Sequence, residues 1–202
     1  MKLYDAGFAP NPRRVRMVLA EKGIEIERLP IAIEKLENRS PEFLAKNPYG
    51  LVPALELDDG RIISESLAIC RYLDEKFPQP SLFGKNIEQR AVIDMWNMRV
   101  EYELFRKFMH VFQNSHEYFA SRITQVPGFA DVCRERALFT LDLLEKELAT
   151  REFVAGDTLS IADITAWCGI DFAKVVKFRL DESRPNLLRW YSAVKQRPMA
   201  TA

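Results

Sequence analysis

The sequence predicts two domains of different class: an α/β domain over residues 1–77 and an all-α helical domain over residues 86–202, with a linker at 78–85. Three observations carry this. Strand-like stretches are confined to the N-terminal part of the chain. A hairpin signal closes that part, Asp58-Asp59-Gly60 set between Leu55, Leu57 and Ile62, with Ile63 beside it. Pro78-Gln79-Pro80-Ser81 then reads as a linker, and beyond it only helical periodicity remains.

The elements follow in order. Lys2 to Tyr4 is a short strand, and Arg14 to Lys22 a helix with Val15, Val18 and Leu19 on one face and Gly23 as its stop. Glu25 to Ile31 is a second strand. Ser40 caps a short helix that Pro41 opens. The loop ending in Val52-Pro53 leads into the hairpin, and Ser64 is placed to cap a helix over Glu65–Phe77. This β-α-β-α-β-β-α order is that of a thioredoxin-like domain, and the helical crossover between the first two strands makes them parallel.

In the second domain, Ile87 to Phe119 is a long helix carrying two apolar stripes. Ile93, Trp96, Val100 and Leu104 form one; Tyr102, Phe105, Met109 and Phe112 form the other. One serves the domain core, and the other faces a cleft floor or a partner subunit. Helices follow through Leu138, Leu141, Leu144 and Leu148, over Ser160–Val176, and around Leu187–Val194. Ser160 and Asp163 have capping-box spacing.

Bulk properties narrow the function. The 202 residues are 48% hydrophobic, with 29 basic residues balanced by 29 acidic ones. A formal charge of zero gives no electrostatic reason for a nucleic-acid or anionic-membrane partner. No apolar run has the length to span a bilayer, and Met1-Lys2-Leu3-Tyr4-Asp5 lacks the apolar core of a signal peptide. Cys70, Cys133 and Cys168 are widely spaced and form no C-x-x-C pair. Free thiols in a reducing compartment, the cytoplasm, are the expectation.

The most telling stretch runs from Lys46 to Leu73. A strand-edge backbone after Pro53, beside a helix start whose amide groups favour an anion, suits a small peptide with a free carboxylate. Asn47-Pro48-Tyr49-Gly50-Leu51-Val52-Pro53, then Asp59-Gly60, then Glu65-Ser66 with Ala68-Ile69 and Tyr72-Leu73, resembles the glutathione-binding half of the cytosolic glutathione transferases. Phe153-Val154-Ala155-Gly156-Asp157 followed by Ser160-Ile161-Ala162-Asp163 is similar to the same family's second landmark, and the two occur in the family's order. The likeness is to bacterial and fungal members with Pro-Asn after the first strand.

The resemblance implies roles for named residues. Glu65 and Ser66 hold the ammonium and carboxylate of the γ-glutamyl group. Pro53 is cis, and the Val52 backbone pairs with the cysteinyl part of glutathione. Lys35, Arg39 and Asn47 are candidates for the glycine carboxylate, and Leu51 departs from a lysine found in plant members. Many members place Ser or Cys where this chain has Ala9, and others use a Tyr slightly upstream. Ala-Pro-Asn-Pro also stands where a thioredoxin carries C-x-x-C, which excludes a protein dithiol. Lowering a thiol pKa from about 8.5 needs a donor near the sulfur. Asn11 is that catalytic candidate, its competing role being a helix cap; Tyr4 is an alternative hydroxyl but lies within the first strand. His110, His116 and Ser115 lie near the acceptor side, and Phe105, Met109 and Phe112 are candidates for an apolar acceptor pocket.

The expected function is a glutathione transferase that conjugates the thiolate of glutathione, its co-substrate, to small apolar electrophiles. No metal is called for. The alternatives are a glutathione-dependent disulfide oxidoreductase or peroxidase and a non-enzymatic interaction protein of the same fold. The resemblance also implies a homodimer.

Overall fold

Leu3 and Leu55 pair directly across the centre of a four-stranded sheet, and both are shut off from solvent. In the computed structural model, which describes residues 1–202, this sheet belongs to a unit made of Met1–Ser81 and Arg197–Ala202; Leu82–Gln196 form a second unit. Strand β1 (Lys2–Asp5) runs parallel to β2 (Glu27–Pro30) and antiparallel to β3 (Ala54–Glu56). Strand β4 (Ile62–Ser64) completes the order β2-β1-β3-β4. Helix α1 (Pro10–Lys22) is the crossover that parallel pairing of β1 and β2 requires. Gly23 ends it at φ 63°, a left-handed position that a side chain resists. Helix α2 (Pro41–Leu44) is capped by Ser40, whose hydroxyl accepts from the Phe43 N–H at 3.2 Å. Helix α3 (Ser66–Lys76) buries Ile69, Cys70 and Leu73 and packs beside α1. The unit is thioredoxin-like.

Three details differ from the expected layout. Helix α1 starts at Pro10 rather than Arg14, because a proline at the first helical position gives up no hydrogen bond the helix could use. Ser64 does not cap α3: it pairs with Ala54 at the end of β4, and Glu65 takes the cap position. Finally, a 3₁₀ turn at Pro198–Thr201 packs on α1 with Met199 fully buried, so the last residues join the first unit. There Arg197 pairs with Glu21, and Arg13 Nη2 donates to the Ala200 carbonyl at 3.2 Å. The Lys22 ammonium ties the far end of α1 to Asp74 at 2.6 Å and to the Phe77 and Pro80 carbonyls at 2.8 and 2.6 Å.

The second unit is all helix: α4 (Ile87–Val100), α5 (Arg106–Ser115), α6 (Pro127–Leu148), α7 (Ile161–Phe172) and α8 (Pro185–Lys195). Between α4 and α5 the backbone widens into a π-helical turn, Glu101–Phe105, so the expected long helix is interrupted and ends at Ser115. The Thr140 hydroxyl donates to the Glu103 carbonyl at 3.1 Å, satisfying part of that turn. A Cβ at Gly169 would come within 3.1 Å of the Phe105 Cα, so glycine lets α7 lie directly against the turn. Every residue of α7 from Ile161 to Ile170 is buried, marking it as the central helix. Ser160 and Asp163 form the expected capping box at its start. No helix is long and apolar enough to cross a membrane.

Candidate functional site

Prolines shape one wall of the site. Pro10 and Pro12 carry no N–H, and the Arg13 N–H already donates to the Ala9 carbonyl at 3.1 Å. The start of α1 therefore offers its donors mainly at Asn11. Ala9 occupies the cap position and makes no side-chain bond, which leaves Asn11 one place inside the helix and removes its role as cap.

The opposite wall is the loop before β3. The buried Asn47 amide donates to the Leu51 carbonyl at 2.8 Å, while its own carbonyl accepts from the Tyr49 N–H at 3.3 Å. Asn38 holds the Gly50 carbonyl at 2.7 Å and Arg39 the Tyr49 carbonyl at 3.1 Å. With its turns fixed this way, the loop delivers Val52 to a cis Val52–Pro53 bond just before β3 begins at Ala54. The Gln79–Pro80 bond is cis too, which nothing in the sequence announced.

The floor is the start of α3. Glu65 is exposed and sits at φ 67°, ψ 115°, a conformation costly for any residue with a side chain. Ser66 behind it is buried, and its hydroxyl accepts from Arg14 Nη1 at 2.9 Å and donates to Asn11 Oδ1 at 3.3 Å. Asn11, Asn47, Leu51, Val52, Pro53, Glu65 and Ser66 surround one cleft of ≈ 70 Å³. Five sequence-level candidates, Asn11, Val52, Pro53, Glu65 and Ser66, thus meet at one place. Of the three candidates for a carboxylate partner, Asn47 lines the cleft, whereas Arg39 is engaged at Tyr49 and Lys35 is exposed.

Other candidates fall elsewhere. The Tyr4 hydroxyl donates to Glu56 at 2.6 Å and its ring packs edge-on against Phe43, so it is a strand residue held across the sheet. Lys46 reaches the same carboxylate at 2.8 Å, and its hydrogen bond holds Glu56 below the usual carboxylate range. In the second unit Phe105 is 1% exposed and pressed against Gly169, inside the core rather than on a pocket wall. Met109 and Phe112 keep partial exposure. The Phe112 ring meets Phe119 at 5.1 Å, Phe172 at 5.4 Å and His116 at 4.8 Å. His116 Nδ1 accepts from the Tyr118 N–H at 3.1 Å, and Ser115 bonds back to the Val111 carbonyl at 2.7 Å. No group of three or more His, Cys, Asp or Glu side chains is arranged to hold a metal.

Arg14 is the residue that sequence reasoning missed. It is 1% exposed and directly beneath Ser66. A signal existed: Arg14 follows Asn11 by one helical turn and precedes Val18 by another, so a cation lies on the buried face of α1.

Comparison with known proteins agrees with this arrangement. Residues 8–76 match the glutathione S-transferase N-terminal domain and residues 129–198 the glutathione S-transferase C-terminal domain. Glutathione S-transferase 2 of Saccharomyces cerevisiae is 38% identical over 98% of this chain and 87% of its own. A solved glutathione S-transferase domain-containing protein from Marinobacter aquaeolei superposes with a TM-score of 0.94 at 39% identity, covering 98% of this chain and 99% of that one. Gtt2 from Saccharomyces cerevisiae gives 0.93 at 38%, over 100% and 99%. With both domains matched, the fold shared and this identity sustained along the whole chain, the protein belongs to the cytosolic glutathione S-transferase family.

Proposed function

We propose that the protein conjugates the thiolate of glutathione to small apolar electrophiles. The observation that carries this reading is the meeting of Asn11, Val52, Pro53, Glu65 and Ser66 around one cleft. The cleft is smaller than the several hundred Å³ of an enclosing ligand pocket, so the tripeptide would lie along it. Glu65 pairs with the γ-glutamyl ammonium, and the Ser66 N–H at the start of α3 meets the carboxylate, where the helix dipole favours negative charge. The Val52 backbone pairs with the cysteinyl part, and the Asn11 amide donates to the sulfur. The thiol proton leaves to solvent. The sulfur then attacks the electrophilic carbon, forming an S–C bond while the displaced pair departs with the leaving group. Met109 and Phe112, partly exposed in the second unit, are the candidates for binding an apolar acceptor. The protein supplies orientation and charge stabilisation, and the nucleophile belongs to glutathione.

One alternative is a glutathione-dependent disulfide reductase, which would use two bound glutathiones because Ala9 and the burial of all three cysteines leave no protein dithiol. The likeness of the Pro-Asn sequence to bacterial and fungal members supports this alternative, and three buried cysteines without a disulfide suit the cytoplasm. An ultraviolet titration of bound glutathione tests the central reading. A thiol pKa well below that of free glutathione supports it. Binding without a shift favours a non-enzymatic role, and no binding overturns it. Comparing an aryl halide with a model disulfide decides between transferase and reductase.

A further inference from the structure

We propose that Arg14 is a positioning residue of the thiol site, acting through Ser66 to fix which end of the Asn11 amide faces the ligand. The inference rests on the glutathione reading above. A guanidinium only donates, so the 2.9 Å contact makes the Ser66 oxygen an acceptor toward Arg14. The single Ser66 proton is then directed to Asn11 Oδ1 at 3.3 Å. With its oxygen held inward, Asn11 turns its NH₂ group toward the cleft, where a thiolate needs a donor.

The reversed amide would point its NH₂ at Ser66 and its oxygen at the sulfur, repelling the thiolate. Arg14 disfavours that state in two ways. Its positive charge attracts the oxygen end of the Asn11 dipole. By donating to the Ser66 oxygen, it also makes the hydroxyl a stronger donor and a poorer acceptor of a second N–H. The spacing is built into the sequence, since residues 11 and 14 are one turn apart on α1. Ser66 therefore serves the sulfur through its side chain and the carboxylate through its backbone.

The test is a cycle of Asn11→Ala and Arg14→Met, read as the thiol pKa of bound glutathione. Each single variant is expected to raise that pKa, and Arg14→Met is expected to add nothing in the Asn11→Ala background. An equal rise in both backgrounds would mean a charge acting through space, and no rise from Arg14→Met alone would mean no role; either overturns the proposal. A neutron structure of the ligand-free wild type gives a second reading that needs neither glutathione nor a folded variant. Deuterium lying between the Ser66 oxygen and Asn11 Oδ1 supports the proposal, and an Asn11 ND₂ group facing Ser66 overturns it. If the wild type binds no glutathione, the functional reading fails, while the neutron map still decides the orientation.

Discussion

Glu65 holds a backbone conformation that only glycine adopts without strain, and it does so where its carboxylate meets the cleft. Glu65→Gly is expected to stabilise the fold by about 1 kcal/mol by relieving that strain. The same change should weaken glutathione binding by about 1.5–3 kcal/mol through loss of a charge-assisted contact. Urea denaturation and titration calorimetry would measure the two effects; a loss of both stability and binding would count against strain at this residue. Glu56 sets a pH dependence. Its hydrogen bond from Lys46, then that from Tyr4, hold its carboxyl below the ordinary value of 4.5. A lowered carboxyl stabilises the fold above that ordinary value, and this contribution is lost as pH falls through the lowered one. Acid unfolding is expected to show it as a steeper loss of stability below pH 4.5 in the wild type than in Glu56→Gln. Glu65 and Ser66 were legible in the sequence because motif and helix start coincide there. Arg14 was missed although its spacing with Asn11 and Val18 puts it on the buried face of α1, because its partner Ser66 lies far along the chain and no local pattern reports the pairing.

Helix starts were legible where a capping side chain marks them, at α2 and α7, and not at α1 and α3, whose cap positions carry Ala9 and Glu65. Ser160 and Asp163 announced their capping box by spacing alone, but Asp163 does more than the spacing implies. Its carboxylate accepts from the N–H groups of Ser160 and Val154 at 2.9 and 2.8 Å and from the Ser160 hydroxyl at 2.9 Å. The indole N–H of Trp190, on α8, completes the set at 2.9 Å. The Val154 and Trp190 bonds come from outside the box, so no local pattern reports them. Asp163→Ala is expected to cost at least about 3 kcal/mol, because it strands buried donors at the start of the central helix. Chemical denaturation would read it, and a loss below about 1 kcal/mol would mean that water replaces the carboxylate. The π-helical turn escaped sequence reasoning for the same reason. Thr140 and Gly169, which accommodate it, lie far along the chain, and the apolar spacing of a continuous helix looks unbroken.

At the scale of the molecule, the two apolar stripes of the long helix have different fates. Ile93, Trp96, Val100 and Leu104 fill the core of the second unit. Tyr102, from the other stripe, is exposed together with Met95 and Met98 on α4 and Val132, Phe139 and Leu143 on α6. Of these, Phe139 and Leu143 line a groove of ≈ 750 Å³ between α4 and α6, together with Trp96 and Arg136 among others. A second copy of the chain is the proposed occupant, because the groove pairs apolar residues with both signs of charge, Arg99 and Arg136 beside Glu103 and Glu147. Sedimentation is expected to give a dimer for the wild type and a weakened or monomeric species for Phe139→Glu. An unchanged dimer in that variant would move the interface elsewhere.

The return of Arg197–Ala202 to α1 has a consequence for how the protein is made. Synthesis delivers α1 early, yet the segment that buries Met199 against this helix and clamps Arg13 and Glu21 is translated only after the whole helical unit. The first unit therefore leaves the ribosome with one side of its first helix open. It reaches its finished packing after the chain has come back on itself, so the order in which the parts fold differs from the order in which they are written.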